Sequence, residues 1–164
     1  MNARTIASVL LVAILGGATS RASDRSTIHA VINGDERTTI LAVAAKEAGT
    51  TALLKGADEY TLFAPTDRAF LKLGDRPIGQ IANRKDAVEK LLRAHLVKGK
   101  YTTAALKKKA LAGEPLVTVG GESLKIEERK DGLFVGGVKI EAADLACRNG
   151  VIHILESVRP IPNK

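Results

Sequence analysis

Tryptophan is absent from this sequence, and cysteine and methionine occur once each. A single cysteine, Cys147, cannot form an intrachain disulfide, so the fold has to be stabilised by its apolar core. Cys147 lies in the mostly apolar stretch 143–147, which predicts a small buried side chain and not a reactive thiol. Aromatic residues make up only 3% of the chain. We therefore expect aliphatic side chains to fill the core, with Phe63, Phe70 and Phe134 as its few large members.

The sequence also lacks the patterns of catalytic, metal and phosphate-binding sites. Its three histidines show no metal-ligand spacing such as H-x-x-x-H. His95 falls on an apolar helical face and His153 alternates with strand residues, so both are predicted to be structural, whereas His29 has no partner that the sequence can name. No serine stands in a G-x-S-x-G turn, and no phosphate-binding loop is present. A hydrolase would need His95 or His153 beside a carboxylate, and the sequence names none. We predict a non-enzyme without metal or cofactor.

One long uncharged apolar run is present, at the N-terminus. Residues 6–18 follow Arg4, and small residues stand at the end of this run and just after it, at 18, 20 and 22, which predicts a secretory signal peptide over residues 1–22. The run is shorter than the roughly 20 residues that span a bilayer. We expect cleavage after Ala22 or near Ser20, a secreted or periplasmic protein, and one domain over residues 23–164; an uncleaved N-terminal anchor is the alternative.

The first half of the chain has helical patterning. Apolar residues recur at helical spacing over residues 36–48 and 84–96, and a further helix is predicted over 103–109. A strand over residues 60–64 ends at Pro65. Side chains that can cap helices stand at Thr66, Asn83 and Thr102.

The second half changes to the period of two that is typical of strands. Residues 116–119 and 123–128 are predicted to form a hairpin around the Gly120-Gly121 turn. Further strands are predicted over 133–135, 138–141 and 151–155. Helices packed against a mainly antiparallel sheet give an α+β architecture.

Three sequence stretches follow one another in order: TLFAPTDRAF (61–70), AHLVKGKYTTAAL (94–106) and NGVIHILESVRPIP (149–162). Together they resemble the fasciclin domain family, over about residues 26–162. The resemblance implies a wedge-shaped β-sandwich flanked by several short helices. It also implies adhesion without catalysis, through contacts with a surface protein, a matrix component or a polysaccharide. Some family members bind carotenoids, so carriage of a small lipophilic ligand is the alternative function. The family often has Tyr before the middle histidine; Ala94 stands there, which removes a residue pair linked to adhesion in animal members.

Positive charge is concentrated in one segment of a chain whose net charge is +7. Residues 90–113 contain lysine and arginine but no acid, so their cations are predicted to form a basic patch, the alternative being a solvated surface. The seven cations are Lys90, Arg93, Lys98, Lys100, Lys107, Lys108 and Lys109. The predicted binding residues are Lys98, Lys100, Lys107, Lys108 and Lys109, with an anionic polysaccharide as ligand and an anionic membrane surface as a further partner. Export and the lack of stacking aromatics argue against nucleic acid, and a monomer is expected.

Overall fold

The structure, a computed structural model, describes residues 25–73 and 84–159. Its helices are α1 (Ile28–Gly34), α2 (Thr39–Glu47), α3 (Thr51–Lys55), α4 (Asp67–Leu71), α5 (Lys85–Ala94) and α6 (Thr103–Ala112). Its strands are β1 (Tyr60–Pro65), β2 (Leu96–Lys98), β3 (Leu116–Val117), β4 (Ser123–Leu124), β5 (Ile126–Arg129), β6 (Gly132–Val135), β7 (Val138–Cys147) and β8 (Gly150–Leu155). The predicted signal peptide and the predicted cap Asn83 lie outside the described residues. Within these ranges, each helix is too short or too polar to cross a membrane.

Six strands form one sheet in the order β2-β1-β8-β7-β6-β5. β1 and β8 are parallel neighbours at its centre, and the remaining pairs are antiparallel. Every residue of both central strands is buried, as expected for strands that are covered on both faces. The sheet is curled and short helices flank it, so the predicted α+β class is confirmed.

The predicted hairpin after Pro115 is shorter than expected. β3 pairs with β4, and Leu116 lies opposite Leu124. The chain then turns at Lys125, whose carbonyl accepts a hydrogen bond from the Gly136 N–H at 2.8 Å. β5 therefore leaves the hairpin and pairs with β6 in the larger sheet. The alternation of apolar and polar residues continues through this turn. For that reason the sequence pattern predicted one unbroken strand over residues 123–128.

The two faces of the central strands pack against different groups of side chains. Leu62 and Ile152 belong to a core that helices α1 to α5 cover. Phe63 and Leu155, on the same strands, belong to a second core under α6 and β3 to β7. Neighbouring strand residues point to opposite faces, so one pair of strands contributes to both cores. Cys147 is buried in the first core, as predicted.

The turn between β7 and β8 is tied to the helical layer by one side chain. The Asn149 Oδ1 atom accepts a hydrogen bond from the Ile28 N–H at 2.9 Å. Its Nδ2 atom donates to the carbonyl oxygens of Leu54 at 2.9 Å and Gly56 at 3.0 Å. A buried amide that satisfies three backbone groups fixes α1 and α3 against the end of the sheet.

Candidate functional site

The link between β2 and α6 carries part of the predicted basic segment and is anchored to the central sheet. The Thr61 hydroxyl donates to the Gly99 carbonyl at 2.7 Å and accepts from the Tyr101 N–H at 2.9 Å. The His153 Nε2 atom donates to the Tyr101 carbonyl at 2.7 Å. Three hydrogen bonds from two buried strands therefore hold residues 99–101 in place.

The start of α6 is capped by a distant residue and not by its own N-cap side chain. Thr102 occupies the predicted N-cap position but forms no side-chain capping bond. Instead, the Asp144 Oδ1 atom accepts the Thr103 N–H at 2.7 Å. Asp144 lies at φ 59°, in the left-handed region, within an irregular part of β7. The prediction that the Thr102 side chain caps this helix is therefore wrong. The Asp144 carboxylate of another strand satisfies the first backbone donor of α6 instead.

Three of the predicted binding lysines are exposed and form no ion pair with a described residue. Lys98 ends β2, Lys100 lies in the link, and Lys108 lies on the outer surface of α6. No carboxylate in residues 25–73 or 84–159 comes within ion-pair distance of their ammonium groups. Within the described residues, no ion pair compensates the charge of these three ammonium groups.

The other two predicted binding lysines form ion pairs. The Lys107 Nζ atom lies 2.6 Å from Glu128 Oε1 on β5, and the Lys109 Nζ atom lies 2.5 Å from Glu114 Oε2. The hydrogen bond between Lys109 and Glu114 raises the pKa of Lys109 and lowers the pKa of Glu114. Both acids lie outside residues 90–113, so the acid-free run in the sequence is partly compensated by acids that the fold brings to it.

His95 has the structural role that the sequence predicts. Its Nδ1 atom donates to the Leu91 carbonyl at 2.8 Å, and its Nε2 atom accepts the Arg159 N–H at 3.3 Å. Burial lowers the pKa of His95 to about 4. The buried Arg159 guanidinium next to it pairs with the Glu122 carboxylate. The imidazole is therefore neutral, and both ring nitrogens are occupied.

His153 is also engaged on both ring nitrogens. Its Nδ1 atom accepts the Asp144 backbone N–H at 3.3 Å, and its Nε2 atom donates to the Tyr101 carbonyl. The ring stacks on Phe63, with 5.5 Å between the centroids. Burial lowers the pKa of His153. No described carboxylate side chain is hydrogen-bonded to either buried imidazole, and the described residues contain no group of three ligands that would hold a metal ion.

A cleft of about 820 Å³ lies where the parallel strands β1 and β8 end, next to Thr66 and Glu156. The sequence did not predict this cleft. It is lined by Glu36, Arg37, Thr66, Asp67, Arg68, Lys72, Lys139, Ile140, Glu141 and Glu156. Cations and acids alternate around it; Arg37 lies 2.7 Å from Asp35, and Lys72 lies 3.9 Å from Glu156. The lining comes from separate segments with no common local pattern, so no sequence signal pointed to it.

Comparison with known proteins agrees with this fold. Residues 36–159 match the profile described as the fasciclin domain. Protein sll1483 of Synechocystis sp. is 32% identical over 137 residues, which are 80% of this chain and 72% of that protein. Transforming growth factor-beta-induced protein ig-h3 of Sus scrofa is 29% identical over 134 residues, which are 81% of this chain but only 19% of that protein.

A solved structure has the same architecture. The FAS1 domain pair of the insect cell adhesion molecule fasciclin I superposes with a TM-score of 0.70 at 20% sequence identity. The match covers 84% of this chain and 51% of that one. The family profile covers well over half of the sequence, and the three stretches that carry the resemblance lie within or across it. The chain belongs to the fasciclin domain family.

Proposed function

We propose that this chain is an exported interaction domain that binds an anionic polysaccharide through Lys98, Lys100 and Lys108. Fasciclin domains are associated with adhesion and interaction and are typically non-catalytic. The observation that carries the proposal is the set of three exposed ammonium groups without an ion pair among the described residues. Lys98 ends strand β2 and Lys100 lies in the anchored link, so both stand on a fixed backbone, which limits the entropy lost on binding.

The chemistry of this surface favours a flexible polyanion over other partners. A lysine ammonium is a compact charge that binds carboxylate or sulfate groups without demanding a planar, two-pronged geometry. A polysaccharide presents such groups along a chain that can adapt to the lysine spacing. The predicted signal peptide over residues 1–22 supports an extracellular or periplasmic encounter. A protein surface or an anionic membrane remains a different outcome of the test.

A second candidate function, carriage of a lipophilic ligand, would need a large cavity with an apolar lining. The leucine-lined cavity in the described residues is too small for this role. That cavity lies between Leu53, Leu62 and Leu92 and holds about 10 Å³. Pockets for small organic ligands usually measure about 300–1,000 Å³. The space is closer to that of one water molecule, so surface binding is the better supported function for the described residues.

The experiment compares two triple variants of equal charge on immobilised heparin. One carries Lys98→Gln, Lys100→Gln and Lys108→Gln. The control carries Lys46→Gln, Lys55→Gln and Lys130→Gln, which removes three exposed lysines from other parts of the molecule.

The proposal predicts that the unmodified protein and the control variant bind heparin equally well. Both should elute with rising salt, because exposed charges are screened beyond about 8 Å at physiological ionic strength. The first variant should bind at least about tenfold more weakly, since one lysine beside an anionic surface contributes on the order of 1 kcal/mol. Equal weakening of both variants would show that net charge alone attracts the ligand. Retention only on vesicles containing anionic lipid would replace the polysaccharide by a membrane.

A further inference from the structure

The three consecutive lysines of α6 do not form one uniform patch. Successive helical residues are rotated by about 100° around the axis. Lys107 is directed to Glu128 on β5, and Lys109 to Glu114 beyond the helix end. Lys108, between them, remains without an ion pair among the described residues. The fold thus pairs both sequence neighbours of Lys108 with a carboxylate and leaves Lys108 itself exposed.

Both ion pairs are open to solvent. The side chains of Lys107 and Glu128 are 47% and 42% exposed, and those of Lys109 and Glu114 are 32% and 58% exposed. Pairs of this kind contribute little to folding, because water solvates the separated partners well. An incoming polyanion can therefore take the place of either carboxylate without disturbing the core.

We refer to Lys98, Lys100, Lys107, Lys108 and Lys109 together as the lysine surface. We propose that Glu114 and Glu128 attenuate the lysine surface by occupying two of the ammonium groups that an anionic polysaccharide would engage, those of Lys109 and Lys107. This inference rests on the proposed function of that surface. Three lysines are open to the ligand, and two more contact it only in those complexes in which they have left their own carboxylates. Glu114 and Glu128 therefore lower the affinity for the polysaccharide below the value that five unpaired lysines would give. They also favour polysaccharides whose charge density is high enough to displace the two carboxylates.

A matched pair of variants tests the proposal on neighbouring residues of the same strand. Glu128→Gln releases Lys107, whereas Glu127→Gln adds the same charge but releases Lys125 and Arg129, which lie 2.7 Å and 2.5 Å from Glu127. Adjacent strand residues point to opposite faces, and the cations that Glu127 holds belong to β5 and the turn before it and not to α6. Glu114→Gln, which releases Lys109, is a second and independent test.

Dissociation constants for heparin, measured over a series of salt concentrations, give the result. Glu128→Gln and Glu114→Gln should each tighten binding about two- to fivefold, the range that the worth of an exposed ion pair implies. The salt dependence should also become steeper, because more ammonium groups then contact the ligand. The gain of Glu128→Gln should disappear when Lys107→Gln is added.

Equal affinity of Glu128→Gln and Glu127→Gln would overturn the attenuation while leaving the proposed function intact. Binding by the two releasing variants but not by the unmodified protein would support attenuation and reject the proposed function for the natural sequence. Absence of binding by every variant would reject both.

Discussion

The Asp144 carboxylate accepts a hydrogen bond from the Thr103 N–H at 2.7 Å, although 41 positions separate the two residues. The bond connects the irregular part of β7 to the helix that carries three of the predicted binding lysines. It therefore fixes the orientation of that helix relative to the sheet.

Replacing Asp144 by alanine should destabilise the protein by about 1–3 kcal/mol. The change removes a helix cap, and it places a residue with a plain Cβ at φ 59°. Asp144→Asn keeps an acceptor oxygen and a residue type that tolerates this conformation, so it should cost less. Thr102→Ala should cost less than about 0.5 kcal/mol. Urea denaturation measures all three, and equal losses in Thr102→Ala and Asp144→Ala would contradict the assignment of the cap.

Gly150 should tolerate no side chain. A Cβ there would overlap the Tyr60 carbonyl oxygen on the parallel neighbour β1, and the backbone has φ 150°. We expect Gly150→Ala to cost more than about 4 kcal/mol, and so to leave little folded protein. Gly49→Ala is the control, because φ there is 70° and no atom lies within 4 Å of the added carbon. It should cost about 1–2 kcal/mol. A folded Gly150→Ala protein with ordinary thermal stability would refute the close approach.

Asn149→Ala should cost about 2–4 kcal/mol, because it leaves three buried backbone groups without partners. The groups are the Ile28 N–H and the carbonyls of Leu54 and Gly56. Asn33→Ala serves as a control of the same chemistry, since its exposed amide donates to the His29 carbonyl at 2.6 Å. Differential scanning calorimetry should show a large fall in Tm for Asn149→Ala and little change for Asn33→Ala. Similar values for both would argue against the buried tie.

Stability should fall on acidification between pH 6.5 and about 4. Burial lowers the pKa of His95 from 6.5 to about 4, so in this interval the unfolded chain binds a proton that the folded protein does not. Above pH 6.5 His95 is neutral in both states and the free energy of unfolding is at its full value. At pH 4 the protonation of His95 in the unfolded chain has lowered the free energy of unfolding by about 3 kcal/mol. The lowered pKa of His153 acts in the same direction.

Chemical denaturation at pH 7 and pH 4.5 checks this dependence. His95→Gln should flatten the pH dependence, while His29→Gln, at a half-buried site, should leave most of it. A His95→Gln protein that loses as much stability on acidification as the unmodified one would show that other groups cause the effect.

The sequence predicted correctly those helices, strands and caps that depend only on residues close by in the chain. Thr66 was predicted to cap a short helix, and its hydroxyl accepts the Ala69 N–H at 3.2 Å. The buried strand over residues 60–64 and the helix over 84–96 were also recognised, although that helix runs from Lys85 to Ala94. In each case the apolar spacing and the terminal residue lie within one or two turns of the chain.

Features that join distant segments were not accessible in this way. Asp144 of β7 accepts the first backbone N–H of α6, and Glu114 and Glu128 pair with lysines in a segment that contains no acid. The sequence identified the candidate lysines, because a run of like charge is a local property. It could not show which of them form ion pairs, because that depends on which strand passes beside the helix.

Amide chemical-shift mapping during titration with a sulfated heparin hexasaccharide tests the location of binding most directly. If the lysine surface is the site, the shifts should concentrate in residues 97–109 and saturate together, and added salt should reverse them. Shifts concentrated instead around the mixed-charge cleft, at Arg37, Arg68 and Glu141, would contradict the proposed function. Absence of any shift at millimolar ligand would contradict it equally.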